Sequence, residues 1–171
     1  MKTVMISIKP KWVAKIASGE KTIEVRKTRP KIDTPFKCYI YETKCYDTLF
    51  GKGNPKKLWI SGGKVIGEFV CDRILESFLN NNDGWFIEKG CLTQDEIDKY
   101  QGDKAILYGW HISDLVIYDE PKELSEFAQS CNYKGLCFSC KRASFDNVGN
   151  VECKNKLTRP PQSWCYVEEK E

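Results

Sequence analysis

No stretch of this chain is long and apolar enough to span a bilayer as a helix. The opening MKTVMISIKPKW is short and alternating, with lysines close behind. That pattern fits neither a secretory leader nor a membrane anchor, so cytoplasmic residence is the expectation. Histidine is nearly missing: His111 stands alone among 171 residues. A lone histidine on a strand is more often a satisfied core residue than a catalyst, and no cysteine or serine partner for it can be read from the pattern. There is no internal repeat and no low-complexity tract, which argues against a solenoid or a disordered tail. Nothing in the pattern fixes an oligomeric state.

What is present describes a globular domain. A hydrophobic share of 41% beside 30% charged residues is enough apolar material for one core, and the length allows that core plus a small appendage. Net charge is only +3, but its placement is uneven. Residues 1–37 hold ten Lys/Arg against three Asp/Glu, a balance of +7, and the rest of the chain carries −4. A basic first quarter on a mildly acidic body suits a phosphate-bearing partner held on one face, or simply a solvated lysine-rich surface.

Nine cysteines are many for an intracellular chain, and they divide into two groups. Cys38, Cys45, Cys71 and Cys91 are scattered and read as small core residues, as does Cys165 in the alternating SWCYV. Cys131, Cys137, Cys140 and Cys153 form a C-x5-C-x2-C-x12-C cluster with knuckle-like spacing. No histidine follows residue 111, so a zinc ion here would be held by four thiolates in a closed structural site. An iron–sulfur cluster or free thiols are the alternatives. A short insert with little apolar content needs such a staple to order it.

Periodicity gives short elements. TVMISI (3–8) reads as a strand, and Pro10 opens a short helix that Gly19 stops. In KTIEVRK, Glu24 and Arg26 alternate with Ile23 and Val25, which places the two charges on one strand face. CYIYE (38–42) and KVIGEFVC (64–71) are strands, with RILESF continuing the second after a bend. Residues 46–63 read as a long loop or ribbon. Thr93 and Glu96 form a capping box for a helix through Tyr100. Residues 105–118 give strand broken near Ser113-Asp114, Pro121 opens another short helix, and SWCYV (163–167) returns as a last strand. Many short strands with few helices point to an α+β, mainly β, small barrel rather than a parallel α/β sheet.

Gly19, Lys21, Glu24 and Arg26 spell G-x-K-x-x-E-x-R, and with WHISDLVIYDEPKELSEF (110–127) and RPPQSWCYVEE (159–169) the chain resembles the ASCH domain superfamily, in its bacterial and phage type, here with a cysteine-rich C-terminal insert. The resemblance covers about residues 3–127 and resumes near 158. It implies a PUA-like β-barrel over 1–128, an insert over 129–157, and a closing strand and tail over 158–171. It also implies a barrel cleft that recognises RNA, another single-stranded nucleic acid, or a modified nucleobase.

The residues themselves suit that role. Lys21 is a point charge for a phosphate, and Arg26 is a planar fork for phosphate or a base edge. Glu24 can accept from an exocyclic amine. Lys9 and Lys27 add positive charge beside them, and Trp110 is the candidate stacking ring, with Trp12 and Trp164 also in family-like segments. The unassuming alternatives are a Glu24–Arg26 ion pair on a barrel wall and a buried structural Trp110.

Some small ASCH-like proteins are amidohydrolases that use a lysine equivalent to Lys21 and a threonine three residues later. Here that position is Glu24, so their mechanism does not carry over unchanged. A hydrolase or nuclease using Lys21 and Glu24 on a nucleoside or nucleic acid is nevertheless the second reading. The third is a protein-interaction adaptor, in which the insert presents Lys134, Lys141 and Arg142 near Tyr133 and Phe138.

Overall fold

The computed structural model of the protein describes residues 3–49, 56–78, 84–129, 143–145, 151–153 and 156–169. Its strands are β1 (Thr3–Ile8), β2 (Ile23–Arg26), β3 (Phe36–Glu42), β4 (Cys45–Leu49), β5 (Lys56–Ser61), β6 (Val65–Cys71), β7 (Ile74–Phe78), β8 (Ile106–His111), β9 (Ser113–Lys122), β10 (Phe127–Gln129), β11 (Ala143–Phe145), β12 (Val151–Cys153) and β13 (Trp164–Glu169). Helices α1 (Pro10–Ala17), α2 (Gly84–Gly90) and α3 (Gln94–Gln101) flank them. The class is α+β and mainly β.

Six strands form one sheet in the order β10-β13-β1-β3-β6-β9, and β2-β8-β7 form a second. β1 and β3 run parallel at the centre of the larger sheet, and β13 lies antiparallel on the other side of β1. The reason β1 lacks strict alternation is that both its faces are covered. Val4, Ile6 and Ile8 belong to one buried cluster with Phe36, Phe69 and Trp110, while Met5 belongs to another with Tyr39, Phe127 and Val167. Strands buried on both faces read as continuous apolar runs.

The two sheets are joined by one folded ribbon. β6 leads into β7 through Asp72-Arg73, and β8 leads into β9 through Ile112. β6 pairs with β9 in the large sheet, and β7 with β8 in the small one, so the ribbon bends over the core between the sheets. The nine strands of these two sheets wrap that core and do not close into a single hydrogen-bonded ring, which refines the barrel expected from sequence; β4-β5 and β11-β12 are separate two-stranded sheets.

Local differences from the sequence reading have physical causes. Residues 45–61 contain the paired strands β4 and β5, the ribbon alternative. Helix α2 was not legible, because GWFIEKG is short and bounded by glycines. It exists through Phe86, which is buried with Ile23, Val25, Ile97 and Leu107. A side chain at Gly109 would place its Cβ 2.7 Å from Ile23 and 2.8 Å from Phe86, so this glycine makes room for the helix against the sheet. Pro121 does not open a helix; it sits in edge strand β9, where its missing N–H costs little, and only a 3-10 turn, Leu124–Glu126, follows. Thr93 and Glu96 form both bonds of the expected capping box.

Phe69 is 1% exposed on the interior strand β6. Its replacement by alanine is expected to destabilise the fold by about 3–5 kcal/mol, read as a lower denaturation midpoint at unchanged slope.

Candidate functional site

Gly19 closes α1 with φ +78°, a conformation that favours glycine, and its N–H bonds back to the Ile16 carbonyl. The turn delivers Lys21 to the start of β2. Burial at this point is unusual for charged side chains: Lys21 is 3% exposed, Glu24 6% and Arg26 8%. Charges are almost never buried to this degree unless paired.

They are paired around one carboxylate. Arg26 Nη2 stands 2.9 Å from Glu24 Oε1, the ion pair that the sequence offered as an alternative. Lys21 Nζ lies 3.4 Å from Oε2 and donates a 2.7 Å bond to the carbonyl of Gly90, the last residue of α2. Arg26 Nη2 also donates to the Ser7 carbonyl at 2.6 Å, and Nη1 to Ser163 Oγ at 3.3 Å. The cluster thereby ties β2 to α2, to β1 and to the segment entering β13. Burial pushes the Lys21 amine below its usual range, and the Glu24 carboxylate draws it partly back.

Three buried polar atoms in this region have no hydrogen-bond partner among the described residues: Glu24 Oε2, Arg26 Nε and Trp110 Nε1. The Lys21 ammonium approaches Oε2 as a charge, but the arrangement is not a hydrogen bond. Each such atom costs roughly 1–3 kcal/mol if left dry. Glu24 and Trp110 are register partners on β2 and β8, as are Arg26 and Tyr108, so these four side chains share one sheet face.

The other residues singled out from sequence fall in different places. Lys21 is a buried amine instead of a mobile surface cation. Trp110 is fully buried, edge-on to Phe36 at 5.7 Å and tilted to Trp164 at 5.9 Å, so its ring has no free face for a base. Trp12 is the half-buried tryptophan beside the cluster, packed against the core, with Lys11 Nζ 4.1 Å and Lys21 Nζ 5.3 Å from its ring centre. Lys9 is exposed at the start of α1, and Lys27 lies 5.1 Å from the ring of Tyr100. Trp164 is half-buried and donates from Nε1 to Thr28 Oγ1 at 3.0 Å.

His111 is held at the ribbon's corner. Its Nδ1 is 2.6 Å from Asp72 Oδ1, and Arg73 Nη2 is 3.1 Å from Nε2. Arginine can only donate, so these contacts fit a neutral ring protonated at Nδ1. Burial pushes the Asp72 carboxyl up, but the bond to His111 and the charge of Arg73 outweigh it and hold the group below its usual range.

Among the described residues no group of three or more His, Cys, Asp and Glu could hold a metal ion. Cys131, Cys137 and Cys140 lie outside the described residues. Cys153 is on β12, paired with Ala143 of β11. Of the scattered thiols, Cys38 and Cys71 are core residues, whereas Cys45, Cys91 and Cys165 are half-buried. No described helix is long and apolar enough to cross a membrane.

Removing the central carboxylate leaves two cations buried without it. Glu24→Ala is expected to cost about 3–5 kcal/mol of stability, with Glu24→Gln less damaging because it retains an acceptor. Denaturant titration of the two variants beside wild type checks the order.

A model of the ASCH domain matches residues 6–127. Among solved structures, ASCH from Zymomonas mobilis superposes with a TM-score of 0.63 at 17% identity, covering 98% of this chain and 88% of that one. A tyrosine-to-phenylalanine mutant of the Zymomonas mobilis protein matches with a TM-score of 0.55 at 19% identity, over 72% and 77% of the two chains. A serine-to-alanine mutant matches with a TM-score of 0.55 at 16% identity, over 98% and 89%. At these identities the likeness is one of fold. No curated protein matches the chain. The family match spans most of the sequence, including Gly19, Lys21, Glu24 and Arg26, and the chain belongs to the ASCH domain family.

Proposed function

We propose that this protein binds nucleic acid and recognises RNA or a modified nucleobase at the Lys21–Glu24–Arg26 cluster. The observation that carries the reading is a buried set of polar atoms without hydrogen bonds: one acceptor, Glu24 Oε2, which has only the Lys21 charge 3.4 Å away, and two donors, Arg26 Nε and Trp110 Nε1. A nucleobase edge offers the complementary groups: an exocyclic amine donates to a carboxylate, and ring nitrogens or carbonyl oxygens accept from N–H. The formal charges of Lys21, Glu24 and Arg26 leave an excess of one positive, which favours an electron-rich edge. ASCH domains are generally associated with nucleic acid, which agrees.

Trp12 supplies the stacking surface in this reading. It is half-buried, and its ring centre lies 5.3 Å from Lys21 Nζ, so the ring stands next to the cluster. Phosphates are left to exposed Lys9 and half-buried Lys27, since Lys21 and Arg26 are committed to buried partners. The lowered pKa of Lys21 favours a second reading, a hydrolase of a nucleoside or nucleic acid in which Lys21 and Glu24 act together.

Titration of short RNA and DNA strands, with plain and modified pyrimidines, at two salt concentrations separates these readings. The binding reading expects affinity that falls with salt. It also expects Trp12→Ala to cost about 1–3 kcal/mol, the value of one base–aromatic stack. Lys21→Ala, checked for retained fold by circular dichroism, is expected to bind more weakly. Failure of every strand to bind overturns it, and cleavage or deacylation lost in Lys21→Ala establishes the hydrolase.

The cysteine-rich insert is proposed as a structural zinc site formed by Cys131, Cys137, Cys140 and Cys153. The support is the sequence spacing, together with the β11–β12 pairing that sets Cys153 opposite Ala143, three positions after Cys140. Four thiolates would hold the ion tetrahedrally and order the insert. Replacing Cys137 and Cys140 by serine is expected to remove stoichiometric zinc while the rest of the fold survives; unchanged metal content by elemental analysis refutes the site.

A further inference from the structure

Beyond the buried cluster, β2 runs out into a loop whose sequence, Lys27-Thr-Arg-Pro-Lys-Ile-Asp33, carries three cations and one carboxylate. The loop borders an open cleft of about 510 Å³, whose lining includes Lys27, Arg29, Lys31, Ile32, Asp33 and Tyr108. That size lies within the range of small-molecule sites, roughly 300–1,000 Å³, and exceeds what a lone phosphate needs.

Loop and cleft are held in shape by β13. Trp164 Nε1 donates to Thr28 Oγ1 at 3.0 Å, and the Lys31 N–H donates to the Tyr166 hydroxyl at 2.8 Å. Trp164 and Tyr166 pack edge-on at 5.5 Å, and Trp164 leans on buried Trp110 at 5.9 Å, so the loop is anchored to the core by a line of rings. Pre-organisation of this kind lowers the ordering cost of binding.

The cations are not consumed by internal pairing. Among the described residues Lys27 and Lys31 pair with no carboxylate, and Arg29 reaches Glu76 only at 4.0 Å with both side chains substantially exposed. The Arg29 guanidinium carbon lies 5.9 Å from the Tyr108 ring centre, so cation and ring already meet at the cleft wall. Tyr108 is the register partner of Arg26, which places this wall at the end of the face that carries Glu24, Arg26 and Trp110.

We infer that the cleft is a nucleotide subsite for a single strand, with Lys27, Arg29 and Lys31 receiving backbone phosphate and Tyr108 receiving the base of the neighbouring nucleotide. This extends the proposed function, and rests on it, by assigning the strand a path from the Lys21–Glu24–Arg26 cluster along β2 onto the loop. A flat ring beside several cations is the combination that binds single strands with little sequence preference.

The test uses the full chain and an Arg29→Gln/Lys31→Gln double variant. A single-stranded RNA pentamer is titrated across a salt series by fluorescence anisotropy. Each phosphate contact contributes about 0.7 to the slope of log affinity against log salt for a single strand. Loss of two contacts should therefore flatten the slope by about 1.4, while an unchanged slope in the double variant overturns the subsite. If wild type binds no strand, the proposed function fails first, and the cleft is then judged by uridine monophosphate followed by amide chemical shifts. Shifts at residues 27–33 and Tyr108 that vanish in the double variant uphold a nucleotide site standing by itself. Absence of shifts there overturns it.

Discussion

A single buried carboxylate, Glu24, holds together charges that would otherwise be intolerable in the interior. Lys21 and Arg26 are both more than nine-tenths buried, and both face it. Taking such ions out of water costs several kcal/mol each, and only close pairing with further hydrogen bonds offsets that cost. The further bonds run to Gly90 at the end of α2, to Ser7 on β1 and to Ser163 before β13, so elements from both sheets meet at these three side chains. The compensation is incomplete, because Glu24 Oε2, Arg26 Nε and the indole N–H of Trp110 make no hydrogen bond among the described residues.

The folded ribbon explains why the cluster sits where it does. β7 and β8 turn away from β6 and β9 at Asp72-Arg73 and Ile112, carrying β2 with them into a second sheet. The charged side chains therefore lie between sheets, and the loop after β2 emerges at the rim. The Asp72–His111–Arg73 contacts stand at that corner, alongside a backbone bond from the His111 N–H to the Arg73 carbonyl at 3.1 Å. The lone histidine has both its ring nitrogens occupied in fastening the bend.

A gradient of exposure runs from Phe36 and Trp110 in the core, through Trp164 and Tyr166 on β13, to the loop of residues 27–33. At the inner end the rings are packing material; at the outer end their polar atoms grip the loop. Aromatic residues with one apolar body and one polar tip are suited to such a boundary.

Much of this was legible in the chain alone. The alternation of Glu24 and Arg26 with Ile23 and Val25 determined the strand and put both charges on one face, and Thr93 with Glu96 determined the start of α3, because both depend on neighbours along the sequence. Gly19 marked the end of α1 for the same local reason. Only tertiary structure decided that Lys21 is buried instead of mobile, since its partners, the Gly90 carbonyl and the Trp12 ring, come from elsewhere in the chain. That Trp110 is fully buried while Trp12 is only partly so was likewise a matter of packing. Helix α2 depends on Phe86 finding the space left by Gly109, and Pro121 stays in a strand because β9 is an edge. Residue type and spacing determine what a segment can do by itself; burial, and with it the chemistry of a charged group, is decided by what the rest of the chain brings beside it.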